Sequence, residues 1–330
     1  IMKEPLSFLI KSLHKMFFLS ILLSSTLIVI SSPSWMVIWL GLEINLLSFI
    51  PLMNNKNNPL STESIIKYFI VQALASTILM FSLLNSYFDP NLILITSMSI
   101  KLGLVPFHFW YPMIMEGISW MNCFILSTWQ KISPLIVISY LNFSLLITIL
   151  VLLTNLTSSF LSMNFSSLRK LMAFSSLNNI SWMIPLMLIS KPLWSIYLMI
   201  YFFVSLSIMI LFKILNISFM NQMFYLKHKF KWGILSMMSF FSMAGLPPFL
   251  GFIPKWISIQ ELISEKFFFM ALILILSTML LIFSYTRMMF SSILLFNNEK
   301  SWNLFKLHFN STKIMLINIF CVTPWTFLLI

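Results

Sequence analysis

Apolar residues follow one another along this chain in runs long enough to cross a lipid bilayer, and short polar stretches separate the runs. Windows of about 20 residues give about eleven such runs. Backbone polar groups in lipid must find partners within the chain, so the pattern predicts an all-α polytopic membrane protein with about eleven transmembrane helices. The predicted helices cover residues 16–32, 34–53, 64–86, 90–110, 118–141, 143–163, 168–189, 193–216, 232–262, 267–296 and 313–330.

Two of these runs contain residues that interrupt a helix. The fourth run carries Pro106 shortly after Lys101, and the ninth run carries Pro247 and Pro248 shortly before Lys255. Proline removes a backbone donor and clashes with the preceding turn, so a break persists in lipid only where protein or a water-filled cavity surrounds it. An interrupted span beside a lysine is a common feature of ion sites in transporters. The pattern therefore predicts two broken helices, each next to a lysine.

The two breaks lie five runs apart, which suggests an internal repeat. An odd separation makes the two broken helices run in opposite directions through the membrane, as corresponding helices of an inverted repeat do. We therefore predict two inverted five-helix bundles, at 16–141 and 142–296. A basic N-terminal segment at 1–15 precedes them, and a loop with a C-terminal transmembrane helix follows at 297–330.

Composition supports a membrane protein and excludes several other classes. Hydrophobic residues make up 59% of the 330 residues and charged residues 8%, whereas about a quarter of a soluble domain is charged. Two cysteines are too few for a disulfide framework or an iron–sulfur ligand set. Nucleotide, flavin and nicotinamide fingerprints are absent from the sequence. The chain is therefore expected to bind no cofactor or metal and to handle no electrons itself.

The net charge of +12 comes from lysines in short loops, so we predict no nucleic-acid partner. With eleven spans, nearly all loop lysines fall on the side that carries the N-terminus. Positively charged loops face the matrix-like side of a membrane. The N-terminus is therefore predicted on the matrix side and the C-terminus on the opposite side. The richness in Leu, Ile, Phe, Met, Asn and Lys is typical of AT-rich codons and suggests an organellar genome.

Four ionisable residues lie near the middle of predicted spans, namely Glu43, Lys101, Lys131 and Lys255. Each costs roughly 2.5–3.5 kcal/mol to insert, so pairing or hydration is expected. A carboxylate near a buried lysine favours its charged form, and a pair that can separate and re-form would act as a proton switch. Lys255 has no such acid close in sequence, which leaves Glu261, water or a neighbouring subunit as its counter-charge.

His108 follows the first break and is a candidate proton relay, because imidazole titrates near neutral pH. A lone histidine beside tryptophan is as often a packed, hydrogen-bonded residue. Both interpretations stay open from the sequence.

Five segments carry a resemblance to a known family. The segments are Trp-Leu-Gly-Leu-Glu-Ile-Asn at 39–45, Lys-Leu-Gly-Leu-Val-Pro-Phe-His-Phe-Trp at 101–110, Thr-Trp-Gln-Lys at 128–131, Leu-Arg-Lys-Leu-Met-Ala-Phe-Ser-Ser at 168–176 and Gly-Leu-Pro-Pro-Phe-Leu-Gly-Phe-Ile-Pro-Lys-Trp at 245–256. They resemble the chain 2 family of antiporter-like subunits in mitochondrial NADH:ubiquinone oxidoreductase, which is respiratory complex I, with an arthropod-like character. The likeness runs from about residue 16 to residue 300, and its motifs are highly specific.

The resemblance implies roles for individual residues. It implies that Glu43 and Lys101 form a charge pair, that Lys131 is the connecting lysine, and that Lys255 is the lysine of the second half. Lys170 belongs to a matching motif and becomes a second candidate relay. The two inverted five-helix bundles, each with a broken helix, are also what the family implies.

The implied function is proton translocation in the membrane arm of complex I, within the mitochondrial inner membrane. FMN, iron–sulfur clusters and ubiquinone would be bound by other subunits. The implied partners are other membrane-arm subunits, including neighbouring antiporter-like chains, and structural phospholipid. Two alternatives stay open, a stand-alone cation/proton antiporter of the related transporter group and a scaffold whose charges only lock helices together.

Overall fold

The computed structural model describes residues 3–54, 58–84, 89–141, 144–190, 192–223 and 230–293. In this part of the chain, regular structure is helical apart from one isolated antiparallel bridge between Ser167 and Phe219. The predicted loop and C-terminal helix at 297–330 lie outside the described residues. The predicted all-α fold is confirmed.

The chain divides into two compact units, Ile1–Ile147 and Thr148–Ile330. The sequence predicts two bundles that meet between residues 141 and 142, and both this boundary and their inverted relation stay predictions. Each unit contains one broken helix whose halves are joined by a glycine-containing stretch.

The first unit is built from seven helices. Helix α1 starts at Lys3, so most of the predicted basic segment is helical and continuous with the first span. The fourth predicted span is split into α4 and α5, and the fifth is split into α6 and α7. The helices are α1 (Lys3–Ser31), α2 (Trp35–Met53), α3 (Pro59–Leu84), α4 (Pro90–Leu102), α5 (Trp110–Gly117), α6 (Trp120–Ser127) and α7 (Trp129–Ser139).

The second unit also begins with three long helices followed by an interrupted span, but its last described span is one continuous helix. Its ninth predicted span is split into α12 and α13 around the proline-rich stretch. The helices are α8 (Leu145–Asn164), which begins just before the unit boundary, α9 (Leu168–Ile189), α10 (Leu193–Leu215), α11 (Met220–Met223), α12 (Phe230–Ala244), α13 (Phe252–Ser264) and α14 (Phe268–Ile293).

Seven helices in the described part are long and apolar enough to cross a membrane, namely α1, α2, α3, α8, α9, α10 and α14. The other predicted spans in this part are the interrupted ones. The expected number of eleven spans stays a prediction.

The fifth predicted span differs from the expectation of one continuous helix. Thr128 has φ −120° and ψ −69°, which lies outside the helical region and separates α6 from α7. The side chain of Thr128 donates to the carbonyl oxygen of Phe124 at 2.7 Å. The same oxygen also accepts from the backbone N–H of Thr128 at 3.1 Å. A threonine bonded back in this way bends a helix, so a residue other than proline or glycine can interrupt it.

Helix α3 carries mostly polar residues on its buried face and apolar residues on its exposed face. On α3, the buried face carries Ser61, Ser64, Tyr68, Gln72 and Ser76, whereas Ile66, Phe69, Ile70, Leu74 and Phe81 are exposed. Buried serines donate to carbonyls three residues earlier, as Ser64 does to Ser61 at 2.7 Å. Their hydroxyls are therefore satisfied within the helix, which suits a chain whose surroundings are lipid.

Candidate functional site

The first break begins at the C-terminal end of α4. Gly103 adopts the left-handed conformation with φ 73°, and Leu104 N–H donates back to Ser99 O at 2.9 Å. This is the usual way for a helix to end on glycine. The chain then runs through residues 103–109, with a cis peptide bond between Val105 and Pro106, before α5 starts at Trp110.

Side chains from neighbouring elements satisfy the carbonyls that this break releases. Gln72 Nε2 donates to the carbonyl oxygen of Lys101 at 3.3 Å. Trp110 Nε1 donates to the carbonyl oxygen of Ile100 at 3.1 Å. Backbone acceptors at membrane depth must be paired in this way. The broken helix is therefore held by polar groups of its own unit.

Lys101 and Lys131 come together beside this break. Lys101 lies in the last turn of α4 and is 7% exposed, and Lys131 lies in the first turns of α7 and is 5% exposed. Both line one small cavity of about 20 Å³, which Tyr68, Gln72 and Gln130 also border. That volume corresponds to roughly one water molecule with several polar neighbours.

Glu43 lies half-buried on α2 and interacts electrostatically with Lys101. Within the described residues the two side chains form no direct ion pair at 4.0 Å or less. The predicted pair is therefore a through-space interaction in this structure. Such a pair can tighten or separate without breaking a direct hydrogen bond.

A chain of side-chain hydrogen bonds links three helices around the two lysines. Tyr68 Oη of α3 donates to Gln130 Oε1 of α7 at 3.3 Å. Gln130 Nε2 donates to Asn45 Oδ1 of α2 at 3.0 Å, and Asn45 Nδ2 donates to Ser133 Oγ of α7 at 3.2 Å. Sequence reasoning missed these residues. The available signal was the presence of amide side chains inside apolar runs, where they usually bond across helices.

Lys131 also lies over an aromatic ring. Its Nζ is 4.6 Å from the centroid of the Tyr111 ring, a position in which the ring quadrupole attracts a cation. Tyr111 follows the first break on α5, so the break and α7 are in direct contact.

The second break is built around Gly245. Helix α12 ends at Ala244, Gly245 adopts φ 80°, and Leu246 N–H donates back to Phe241 O at 3.3 Å. Pro247 and Pro248 are exposed within the interruption, and α13 starts at Phe252. Both broken helices therefore end their first half on a left-handed glycine.

Lys255 is 8% exposed, and its Nζ donates to the carbonyl oxygen of Ala244 at 2.7 Å. Ala244 is the last residue of α12, where the free carbonyls carry the negative end of the helix dipole. Lys255 forms no ion pair with Glu261 among the residues that the structure describes. The negative partner that the sequence did not reveal is thus the end of a helix.

The glycines at this break allow a side chain and a neighbouring backbone carbonyl to approach their own backbone closely. A Cβ on Gly245 would lie 2.8 Å from Cδ of Lys255, and a Cβ on Gly251 would collide with the carbonyl oxygen of Ser242. The lysine stem and the two half-helices therefore pack directly on the glycine backbone.

Helix α9 supplies a second polar cluster in the same unit. Asn178 Nδ2 donates to Asn155 Oδ1 of α8, and Ser181 Oγ lies 3.0 Å from the same oxygen. Tyr197 Oη of α10 donates to Asn179 Oδ1 at 2.9 Å. The sequence analysis did not identify this cluster, although α9 has the lowest hydropathy of the seven long helices.

The two candidate relay residues lie at different places. His108 is buried within the first break, and its ring centroid is 4.2 Å from that of Phe109. Lys170 is half-buried in the first turn of α9, with Nζ 5.5 Å from the centroid of the Phe165 ring. His108 therefore lies in the break that follows Lys101, whereas Lys170 lies at a helix end of the second unit.

These features define a class, the multi-pass helical membrane proteins that hold lysines at the breaks of interrupted helices. The family model described as "NADH:quinone oxidoreductase/Mrp antiporter, TM" matches residues 32–91 and 85–281. NADH-ubiquinone oxidoreductase chain 2 of Anopheles gambiae is 41% identical over 316 residues, covering 91% of this chain and 92% of the relative. The same protein of Locusta migratoria is 39% identical over 302 residues, covering 87% and 88%.

The chain therefore belongs to the NADH-ubiquinone oxidoreductase chain 2 family, within the wider group of antiporter-like membrane subunits. The resemblance inferred from the five motifs is confirmed.

Solved structures show the same fold at low sequence identity. A chain of respiratory complex I from Thermus thermophilus with bound Aureothin has a TM-score of 0.79 at 15% identity, covering 93% of this chain and 78% of that chain. A chain of the Mrp complex from Dietzia sp. has a TM-score of 0.74 at 15% identity, covering 84% and 60%.

Proposed function

We propose that this chain is a proton-translocating subunit in the membrane arm of NADH:ubiquinone oxidoreductase. The observation that carries the proposal is the cavity of about 20 Å³ shared by the buried side chains of Lys101 and Lys131. One water in this space would bring two proton carriers within relay distance, since proton transfer works directly or through one water. Membership of the chain 2 family supports the same function.

The proposed step starts with a proton on the Lys101 ammonium, held by the electrostatic interaction with Glu43. When Glu43 moves away, Lys101 gives its proton to the water, and the water gives a proton to the neutral amine of Lys131. Lys101 is left neutral and Lys131 becomes charged. The return of Glu43 favours renewed protonation of Lys101.

Lys255 is the corresponding carrier of the second unit in this proposal. The Ala244 carbonyl stabilises its charged form through a charge-assisted hydrogen bond, without adding a negative ion that would trap the proton. The Lys255 site therefore holds the charged form with a neutral dipole, so that release of the proton leaves no unpaired anion behind. His108 and Lys170 are further candidate relays.

The energy for translocation comes from other subunits in this proposal. Moving one charge against the membrane potential takes roughly 2.3 kcal/mol per 100 mV, so a redox step must drive it. FMN, iron–sulfur clusters and ubiquinone are bound elsewhere in the complex, and this chain binds none of them. Its partners are other membrane-arm subunits, including neighbouring antiporter-like chains, and structural phospholipid.

We place the chain in the mitochondrial inner membrane with the N-terminus on the matrix side. The support is the distribution of loop lysines in the sequence. With the predicted spans, most of them fall on the side of the membrane that carries the N-terminus. The C-terminus is then on the intermembrane-space side.

Changing Glu43 to Gln tests the proposed function against a purely structural role for the charges. Gln keeps nearly the same size and removes the charge that acts on Lys101, while an NH₂ donor replaces one acceptor oxygen of the carboxylate. We expect fewer protons translocated per electron in the assembled complex, measured in proteoliposomes. Glu63→Gln is the matched control, because Glu63 is exposed and pairs with Lys67. An unaltered proton ratio in Glu43→Gln would contradict the proposal and favour the scaffold alternative.

The fold similarity to a chain of the Mrp complex supports a second candidate, a stand-alone cation/proton antiporter. Purification separates the two functions. We expect the chain to co-purify with flavin- and iron–sulfur-containing subunits, and ion exchange by the isolated chain in vesicles would instead identify an antiporter.

A further inference from the structure

We propose that Asn45 is a positioning residue that holds Lys131 at a fixed distance from the Glu43–Lys101 pair, by binding α7 on both sides of Lys131. This inference rests on the proposed function and assigns a role to a residue outside the charge pair. Asn45 is 3% exposed, and it follows Glu43 by two residues on α2.

Both ends of the Asn45 side chain are used. Oδ1 accepts from Gln130 Nε2 at 3.0 Å, and Nδ2 donates to Ser133 Oγ at 3.2 Å. Gln130 immediately precedes Lys131, and Ser133 follows it by two residues. One amide therefore binds α7 before and after the lysine, which fixes both the rotation and the position of this turn along the helix axis.

The N-terminal end of α7 needs such a contact because the helix is interrupted there. Thr128 breaks the path from α6 to α7, and Lys131 N–H donates to Thr128 O at 3.2 Å, three residues back. The turn that carries Lys131 is therefore not positioned by a continuous helix. The closest backbone packing of α7 is against α1, α4 and α6. Side-chain hydrogen bonds of Asn45 connect α7 to the helix of Glu43.

The same hydrogen-bond chain reaches the cavity between the lysines. Gln130 borders that cavity and accepts from Tyr68 Oη at 3.3 Å, and Tyr68 also borders it. Because one water fills about 20 Å³, an ångström-scale displacement of Lys131 would interrupt the relay. Asn45 thus connects the position of α2, which carries Glu43, to the geometry of proton transfer.

The test compares Asn45→Leu with Asn122→Leu in the assembled complex. Leu is close to Asn in size and removes both hydrogen bonds of Asn45. Asn122 is a matched control, because its Nδ2 donates to the Leu52 carbonyl at 2.8 Å and so joins α6 to the end of α2 away from the lysines. Ser133→Ala is a milder second variant that removes one of the two bonds.

An interhelical hydrogen bond in membranes shifts an equilibrium by roughly threefold on average. We expect coupled turnover to fall about threefold in Ser133→Ala and about eightfold in Asn45→Leu, with an unchanged KM for ubiquinone. Asn122→Leu should keep normal turnover per assembled complex. If Asn45→Leu does not assemble, Ser133→Ala carries the test alone.

Equal turnover losses in Asn45→Leu and Asn122→Leu would overturn the inference, because both would then reflect general loosening of helices. Normal turnover in Ser133→Ala and Asn45→Leu would also overturn it. The Glu43→Gln result separates this failure from failure of the proposed function. A lowered proton ratio in Glu43→Gln with normal turnover in Asn45→Leu rejects only the role of Asn45.

Discussion

Replacing Lys101 with methionine is expected to lower proton pumping and coupled turnover by about a hundredfold, the lower range for loss of a proton-transfer group. Methionine keeps the length of the side chain and removes the proton carrier. Assembly should survive, because a buried charge near mid-membrane costs roughly 2.5–3.5 kcal/mol and its removal relieves that cost. NADH-driven acidification of proteoliposomes measures pumping, and native gels measure the amount of assembled complex.

The matched control for Lys101→Met is Lys213→Met. Lys213 also lies in the last turn of a helix, α10, but its side chain is exposed. The same chemical change there removes a charge without touching the cavity, so pumping should stay normal. Normal pumping in assembled Lys101→Met complex would show that Lys101 carries no proton.

Replacing Gly251 with alanine is expected to be the most damaging change at the second break. The backbone of Gly251 is right-handed with φ −67°, so alanine could adopt it without strain. The obstacle is the Ser242 carbonyl oxygen, with which the new Cβ would collide. Backbone cannot move aside as a side chain can, so α12 and α13 would be forced apart at a cost of about 1–3 kcal/mol or more.

The displacement matters because Lys255 of α13 binds Ala244 of α12 across this break. We expect Gly251→Ala to lower the yield of assembled complex and its thermal stability, and to reduce pumping by the complex that remains. Gly41→Ala is the comparison, since its nearest contact, at 2.6 Å, would be a side-chain methyl of Val29, and the nearest backbone atom, the Ser25 carbonyl oxygen, lies at 3.3 Å. Equal stability of the two variants would contradict the packing argument.

Several elements of the fold followed from local residue chemistry. The break after Lys101 was predictable because glycine and proline fall close together there, and glycine readily takes the left-handed conformation that ends a helix. A single proline does not suffice, since Pro51, Pro134 and Pro185 lie inside helices. The break at Thr128 was not predictable, because threonine is tolerated in many helices, and its side-chain bond to the Phe124 carbonyl oxygen is visible only in the structure. The seven long helices were predictable from apolar length alone.

The residues of the candidate site also fall into two groups, those that were identifiable from the sequence and those that were not. Glu43, Lys101, Lys131 and Lys255 were identifiable because charges are rare in apolar spans. Their partners were not, since Asn45, Gln130 and Ser133 are ordinary polar residues until helices bring them together. The carbonyl that binds Lys255 belongs to an alanine, and nothing in an alanine's sequence context marks it as a ligand for a cation.

By itself, the sequence determined that this protein is a helical membrane protein of the chain 2 family, which residues carry buried charge and where two helices break. These properties depend on hydropathy, proline, glycine and charge, which act locally along the chain. Only the tertiary structure decided that Lys101 and Lys131 share a cavity, that Asn45 binds α7 on both sides of Lys131 and that a helix end faces Lys255. Such contacts depend on which helix faces pack together, and many different sequences can encode the same packing.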